Sequence, residues 1–288
     1  MRIANLAGRL VLLSPDSSRA LDVERASAGR FPADPQAVYD VWAEFTAWAA
    51  SADPARGVAF DPADLGAPAP RPRQVLAVGL NFGAHAAEAG LAVPERPVVF
   101  TKFPTCITGP YGDVVLPDGG DTDWEAELVA VIGRRAERVT AELAWAHVAG
   151  LTAGQDLSER IVQMAGPSPQ FNLGKSFPGF GPTGPWLVTP DAFADPDDLA
   201  ITCDVDGERV QHGRTRDMIF SLPRLIAELS AILPLLPGDL IFAGTPSGIG
   251  AGLTPPRFLR PGAEVVTRIE GIGEMRHRMV AAPAPAGV

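Results

Sequence analysis

From Gln74 onward the chain is a succession of short apolar runs broken by glycine and proline, and no other feature limits its possible folds so much. The runs are QVLAVGL (74–80), PVVF (97–100), LVAVI (128–132), HVAGLTAG (147–154), GPWLVT (184–189), LAITCDVDG (199–207) and LIFAGT (240–245). Each is short and bounded by turn-forming residues, so each predicts a buried strand. One clear helix stands among them, SLPRLIAELSAILPLL. Ser221 is its predicted cap, and Leu222, Leu225, Ile226, Leu229 and Leu233 form its apolar face. Strands outnumber helices and do not alternate with them. That excludes a doubly wound α/β chain and predicts a strand-rich α+β fold.

The first 30 residues read as short strands around turns, RIANLAG and RLVLL. Asp34 and Pro35 open a predicted helix in which Val38, Val41, Trp42, Phe45 and Trp48 repeat at helical spacing, a stripe that belongs to a core. Residues 51–73 are loose and rich in proline and alanine, which predicts a linker. The expected organisation is a small N-terminal α+β domain with its linker over 1–70, a larger domain over 71–282, and a disordered tail over 283–288.

No apolar run approaches the ~20 residues of a membrane span, and the N-terminus does not read as a signal peptide, so a cytoplasmic protein is expected. The net charge of −10 speaks against nucleic acid or an anionic membrane as partner. Cys106 and Cys203 are far apart and outside any metal-binding spacing, which makes them two small core residues.

The chemistry begins at DTDWEAELVAVIG, 121–133. Side chains two apart in a strand share a face, so Glu125 and Glu127 point the same way on an element that seeks the core. Burying two like charges side by side needs a compensating cation. Two readings are open: hard oxygen ligands for Mg²⁺, Mn²⁺ or Ca²⁺, or a pair of surface charges at the start of a strand. Asp156, at the predicted strand end in AGLTAGQDLSER, is a further ligand candidate or a turn-forming aspartate. In NFGAHAAEAG, His85 and Glu88 lie at i,i+3 on one helical face, the arrangement that orients a general base, and also a common surface pair. Lys175, in FNLGKSFPGFGPTGPW, has no acid beside it in sequence. It offers an ammonium to an oxyanion or snorkels to the surface. AGTPSGIGAG, 243–252, lacks the lysine of a phosphate loop. A strand ending in Thr245, followed by a turn with exposed N–H groups, suits a substrate carboxylate instead.

Taken together, GLNFGAHAAE, DWEAELVAVIG, VAGLTAGQDLSER, LGKSFPGFGPTGPWLVT, VDGERVQHGRTRDMIFS, LLPGDLIFAGTPSGIG and FLRPGAEVVTRIEGIGEMRHRM resemble, in order and style, the fumarylacetoacetate hydrolase family. The resemblance runs from about Gln74 to Met279. It implies a mixed β-roll, a homodimer, and a divalent metal, Mg²⁺ or Mn²⁺, held by Glu125, Glu127 and Asp156. It also implies His85, Glu88 and Lys175 as catalytic groups and Arg160, Gln163 and Thr245 as substrate contacts. Ile161 departs from the pattern, since members commonly carry an acid there. The expected activity is hydrolysis of a C–C bond in an acylpyruvate-like 1,3-diketo acid through a metal-stabilised enolate. Decarboxylation, hydration or tautomerisation of a 2-oxo acid on the same core are the alternatives, and a non-catalytic binding protein on the same fold is the rival of another class.

Overall fold

The structure, a computed structural model, describes residues 1–283 of the 288. All but the first residue of the predicted tail lies outside the described residues. Two sheets dominate. The larger has twelve strands, in the order Val58–Ala59, Arg19–Asp22, Arg9–Leu13, Arg2–Leu6, Gly181–Val188, Val148–Gln155, Ala126–Ile132, Leu240–Phe242, Val75–Gly79 and Val98–Thr101, with two short strands off this path. It mixes antiparallel pairs with two parallel ones, Leu240–Phe242 with Val75–Gly79 and Gly181–Val188 with the short Ile107–Thr108. The smaller sheet runs Glu208–Arg214, Ala200–Val205, Glu264–Ile269, Gly273–Ala281, Tyr111–Leu116. The fold is the strand-rich mixed β-roll, as expected.

Strand Ala126–Ile132 is buried at every position, which is why its sequence shows no polar break. Leu128, Ala130 and Ile132 pack in one core with Ile201, Val265 and Met275 of the smaller sheet. Val129 and Val131 pack on the opposite side with Val38, Tyr39 and Phe45. The strand is therefore held between the second sheet and the N-terminal aromatic cluster.

Several local expectations change. The predicted helix at Asp34 is a 3-10 turn, Ala37–Val41, followed by the helix Trp42–Ala49. Asp34 accepts from the Gln36 N–H at 3.0 Å, and the 3-10 turn, with Gln36 at its N-cap, has no side-chain capping bond. Ser221 stands at the N-cap of Leu222–Ser230, but its side chain makes no capping hydrogen bond. The stretch 51–73 carries two 3-10 turns and the short strands Val58–Ala59 and Leu65–Gly66, paired to Arg19–Asp22 and Arg2–Leu6. The N-terminal strands join the large sheet directly, Ile3 lying opposite Leu187.

Candidate active site

Antiparallel register brings the acids together. Ala126 lies opposite Gln155 and Glu127 opposite Gly154, and beyond them the Asp156 N–H donates to the Glu125 carbonyl at 2.9 Å. Side chains paired across a ladder share a face, so Glu125, Glu127 and Asp156 converge. One carboxylate oxygen from each lies within 4.8 Å of the others, and all three residues are buried. Hard oxygen donors in this number suit a divalent cation of the magnesium, manganese or calcium type, so the residues fit the expected metal.

Three cations press on this cluster. Lys175 follows the helix Phe171–Gly174, where Gly174 is a matter of space. A Cβ there would lie 2.6 Å from the Gln163 nitrogen and 2.7 Å from the Glu159 carbonyl oxygen. The Lys175 ammonium donates to Glu125 Oε2 at 2.8 Å, Asp156 Oδ2 at 2.7 Å and Ser158 Oγ at 2.7 Å. The acids missing beside it in sequence are supplied in space. Arg160 donates to Asp123 Oδ1 at 2.8 Å, Glu125 Oε1 at 2.6 Å and Gln163 Oε1 at 2.7 Å. Lys102, just past the strand Val98–Thr101, donates to Asp156 Oδ1 at 2.6 Å and to the Lys175 carbonyl.

Four carboxylates (Asp123, Glu125, Glu127, Asp156) thus face three cations, leaving one negative charge unmatched. Glu127 bears the consequence. Burial, then Asp156 and Glu125, push it well above the usual carboxylate range, although the Gly244 N–H opposes this. Burial also pushes Asp123 up to about 6 against the pull of Arg160. For Glu125 burial is outweighed by Lys175 and Arg160, which hold it at about 2. Burial alone would discharge Lys175, but Asp156 and Glu125 raise it above the ordinary ammonium value.

The helix Gly83–Glu88 places His85 Nδ1 3.2 Å from Glu88 Oε2, and the other Glu88 oxygen accepts from the Gly248 N–H at 2.9 Å. His85, Glu125, Glu127, Arg160, Gln163, Lys175 and Thr245 line one cavity of about 390 Å³. Asp156 and Glu88 touch that set from behind. All nine predicted residues are therefore brought together.

The turn at 243–252 corrects the sequence reading. Its N–H groups serve the protein's own acids: Gly244 donates to Glu127 at 2.8 Å, Gly248 to Glu88 at 2.9 Å and Ala251 to Asp123 at 2.7 Å. The Thr245 hydroxyl, expected to reach a substrate carboxylate, donates to the Ala126 carbonyl at 2.9 Å and accepts from Gln211 at 2.8 Å. Ile161 is 55% exposed, with its N–H held by Glu159. Sequence reasoning missed Lys102 and Asp123. Asp123 stood in view, continuing the alternation of Glu125 and Glu127 by one step.

A strand-rich roll carrying this site defines a class that the comparisons identify. Residues 74–280 match the model described as fumarylacetoacetate (FAA) hydrolase C-terminal, and the chain belongs to the fumarylacetoacetate hydrolase family. It is 45% identical over 215 residues, 74% of its own length and 68% of the relative's, to the Homo sapiens protein named oxaloacetate tautomerase FAHD2A, mitochondrial. A Mycobacterium smegmatis protein assigned as HpcE superposes with a TM-score of 0.94 at 51% identity, covering 98% of this chain and 100% of that one. Maleylpyruvate hydrolase from Sphingobium sp. SYK-6, solved with manganese(II) and pyruvate, superposes with a TM-score of 0.81 at 26% identity, covering 98% and 100%. Relatives are thus named as enzymes acting on small organic acids, among them tautomerases, isomerases and hydrolases.

Proposed function

We propose that this protein catalyses proton transfer at C3 of a 2-oxo acid, interconverting its keto and enol forms. One observation carries the reading: a histidine oriented by a glutamate opens into the same cavity as a buried triad of hard oxygen ligands. When bound there, a divalent cation such as Mg²⁺ or Mn²⁺ supplies the positive charge that draws electron density onto the substrate's carbonyl oxygen. The remaining work falls to the chain's own groups. Glu88 occupies Nδ1 of His85, leaving Nε2 to take the C3 proton and return it at oxygen. The Gly248 N–H fixes Glu88 in turn. Lys175 and Arg160 keep Glu125 ionised and in place. The name of the human relative supports tautomerisation.

C–C hydrolysis of a 1,3-diketo acid is the second reading, favoured by the cavity of about 390 Å³, which leaves room for an acyl group beyond the 2-oxo acid. Ultraviolet absorbance of the enol, followed with oxaloacetate and acetylpyruvate in the presence of Mg²⁺ or Mn²⁺, tests the proposal. His85→Ala should slow enolisation on the order of 10²-fold. Appearance of acetate and pyruvate from acetylpyruvate would establish hydrolysis as well. Failure of the metal-loaded protein to accelerate either reaction overturns the proposal.

A further inference from the structure

The strand that carries Glu127 is only half paired at its metal-binding end. Its register with Leu240–Phe242 runs from Val129 to Val131, and the partner chain then turns away into 243–252. At Ala126 two side chains take the place of the missing strand. The Ala126 N–H donates to Gln211 Oε1 at 2.9 Å, and its carbonyl accepts from the Thr245 hydroxyl at 2.9 Å. Gln211 Nε2 donates in turn to Thr245 Oγ1 and to the Pro246 carbonyl, each at 2.8 Å. The Glu125 N–H is also held by a side chain, donating to Gln155 Oε1 at 3.0 Å. Gln155 Nε2 then donates to Thr267 Oγ1 at 2.9 Å and to Cys203 Sγ at 3.3 Å.

A backbone N–H can only donate, so it fixes which end of each amide is oxygen. Each amide nitrogen then has an acceptor for both of its N–H groups, and both glutamines are 1% exposed. Gln211, Cys203 and Thr267 stand on three strands of the smaller sheet, Glu208–Arg214, Ala200–Val205 and Glu264–Ile269. The two amides thus tie the ligand-bearing end of the large sheet to the interior of the smaller one.

What they fix is direction. The held N–H groups of Glu125 and Ala126 and the held carbonyl of Ala126 belong to three successive peptide planes, which flank Glu125 and lead into Glu127. With those planes set, the side chains of both acids leave the backbone in set directions. Asp156 follows, because its N–H sits on the Glu125 carbonyl. Any slip would strand a polar group away from water, which makes the frame costly to bend. Neither glutamine lines the cavity, so their action on an ion passes through the acids.

Resting on the reading that the triad holds a divalent cation, we infer that Gln155 and Gln211 are positioning residues that shift its selectivity toward Mg²⁺ and away from Ca²⁺. Mg²⁺ demands near-ideal octahedral geometry, whereas Ca²⁺ accepts looser and more variable oxygen sets. Slack in the two glutamates therefore costs Mg²⁺ more.

Calorimetric titration of the full chain with MgCl₂ and with CaCl₂ tests this by binding and not by turnover. Gln211→Met keeps the bulk and deletes the amide. It should weaken Mg²⁺ binding about ten-fold or more, and Ca²⁺ binding by clearly less. Thr267→Val leaves both glutamines in place and removes one acceptor of Gln155. It should move the Mg²⁺/Ca²⁺ ratio the same way by a smaller factor, and Thr267→Ser, which keeps the hydroxyl, should hold the wild-type ratio. Thr267→Val also decides the matter should Gln211→Met not fold. An equal loss for both ions in Gln211→Met, or a wild-type ratio in Thr267→Val, overturns the inference while the triad reading stands. A wild-type protein that binds neither ion overturns the triad reading, and the inference with it.

Discussion

The acid–base network at the end of strand Ala126–Ile132 and the one on the smaller sheet are made from the same residue types at the same distances. On the smaller sheet Arg268 meets Glu274 at 2.7 Å and Asp204, while Arg276 meets Glu264 at 2.5 Å and Glu274 at 2.7 Å, with side chains 34–45% exposed apart from Asp204. Arg209 closes on Asp204 as well. Three acids are matched there by three arginines. At and behind the cavity wall the side chains of Lys102, Lys175 and Asp156 are at most 2% exposed, and four acids face three bases. Water screens the first network and makes its pairs nearly neutral for stability. In the second, every charge must be answered by a neighbour, and one is not. The mismatch leaves a place for a cation that the chain does not itself supply.

Removing the unmatched acid should break the contrast most sharply. Glu127→Gln keeps the oxygen that accepts from Gly244 but deletes the charge. Tight Mg²⁺ or Mn²⁺ binding and activity should both disappear, while the metal-free variant melts no lower than metal-free wild type. Calorimetry that finds wild-type metal affinity would refute the triad assignment.

Next in size is Lys102→Met, which widens the imbalance by leaving Asp156 without one of its two buried partners. Breaking a buried pair from one side costs roughly 3–5 kcal/mol, to be read from urea unfolding of the metal-free protein. A loss under about 1 kcal/mol would place Lys102 in the class of surface pairs.

The smaller sheet has its own buried base, and it sharpens the comparison. Burial pushes His277 from 6.5 down to about 4, although its ring contacts the Gly109 carbonyl at 3.0 Å. Because the folded value is the lower one, the unfolded chain takes up the proton first. Stability is therefore complete above pH about 6.5 and is eroded as the pH falls toward 4, by up to about 3 kcal/mol. His277→Gln should flatten that acid limb in melts recorded across this window, and an unchanged slope would assign it to the carboxylates. Arg276→Ala should have the smallest effect, below about 1 kcal/mol and shrinking with added salt.

What could be read from the sequence follows the same division. Glu125 and Glu127 were legible because strand alternation puts two acids on one face of an apolar element, and His85 and Glu88 because helical spacing is local, whereas Asp156 joined them only through the family resemblance, its place beside Glu125 being set by sheet register. Lys102 was not legible, since its partner Asp156 lies 54 residues away and only sheet order joins them. The strands Glu208–Arg214 and Gly273–Ala281 were passed over because they are partly exposed, and the mostly buried Glu264–Ile269 because its apolar run is only Val265 and Val266 before Thr267 and Arg268. In Gly273–Ala281, Met275, His277 and Met279 face inward while Arg276 and Arg278 face out, so no continuous apolar run marks it. The helix start at Asp34 was displaced by a 3-10 turn that side-chain periodicity does not distinguish from helix. The donors at Gly244, Gly248 and Ala251 were read as serving a ligand, because a backbone N–H has no side chain to show whose charge it meets.

That turn has a consequence for how the protein can change. The donors that hold Glu127, Glu88 and Asp123 survive every exchange of side chain except one to proline, and the turn's shape is guarded sterically. Gly248 sits at φ +99°, where a Cβ would lie 1.9 Å from the Val210 carbonyl oxygen. Leu91 and Met164, by contrast, line the cavity and yet stand in the open at its mouth, on short segments where most substitutions are cheap. A library of random variants would accordingly see its survivors drift at the mouth and freeze at the turn, so new substrates can be sampled without wagering the apparatus that handles their protons.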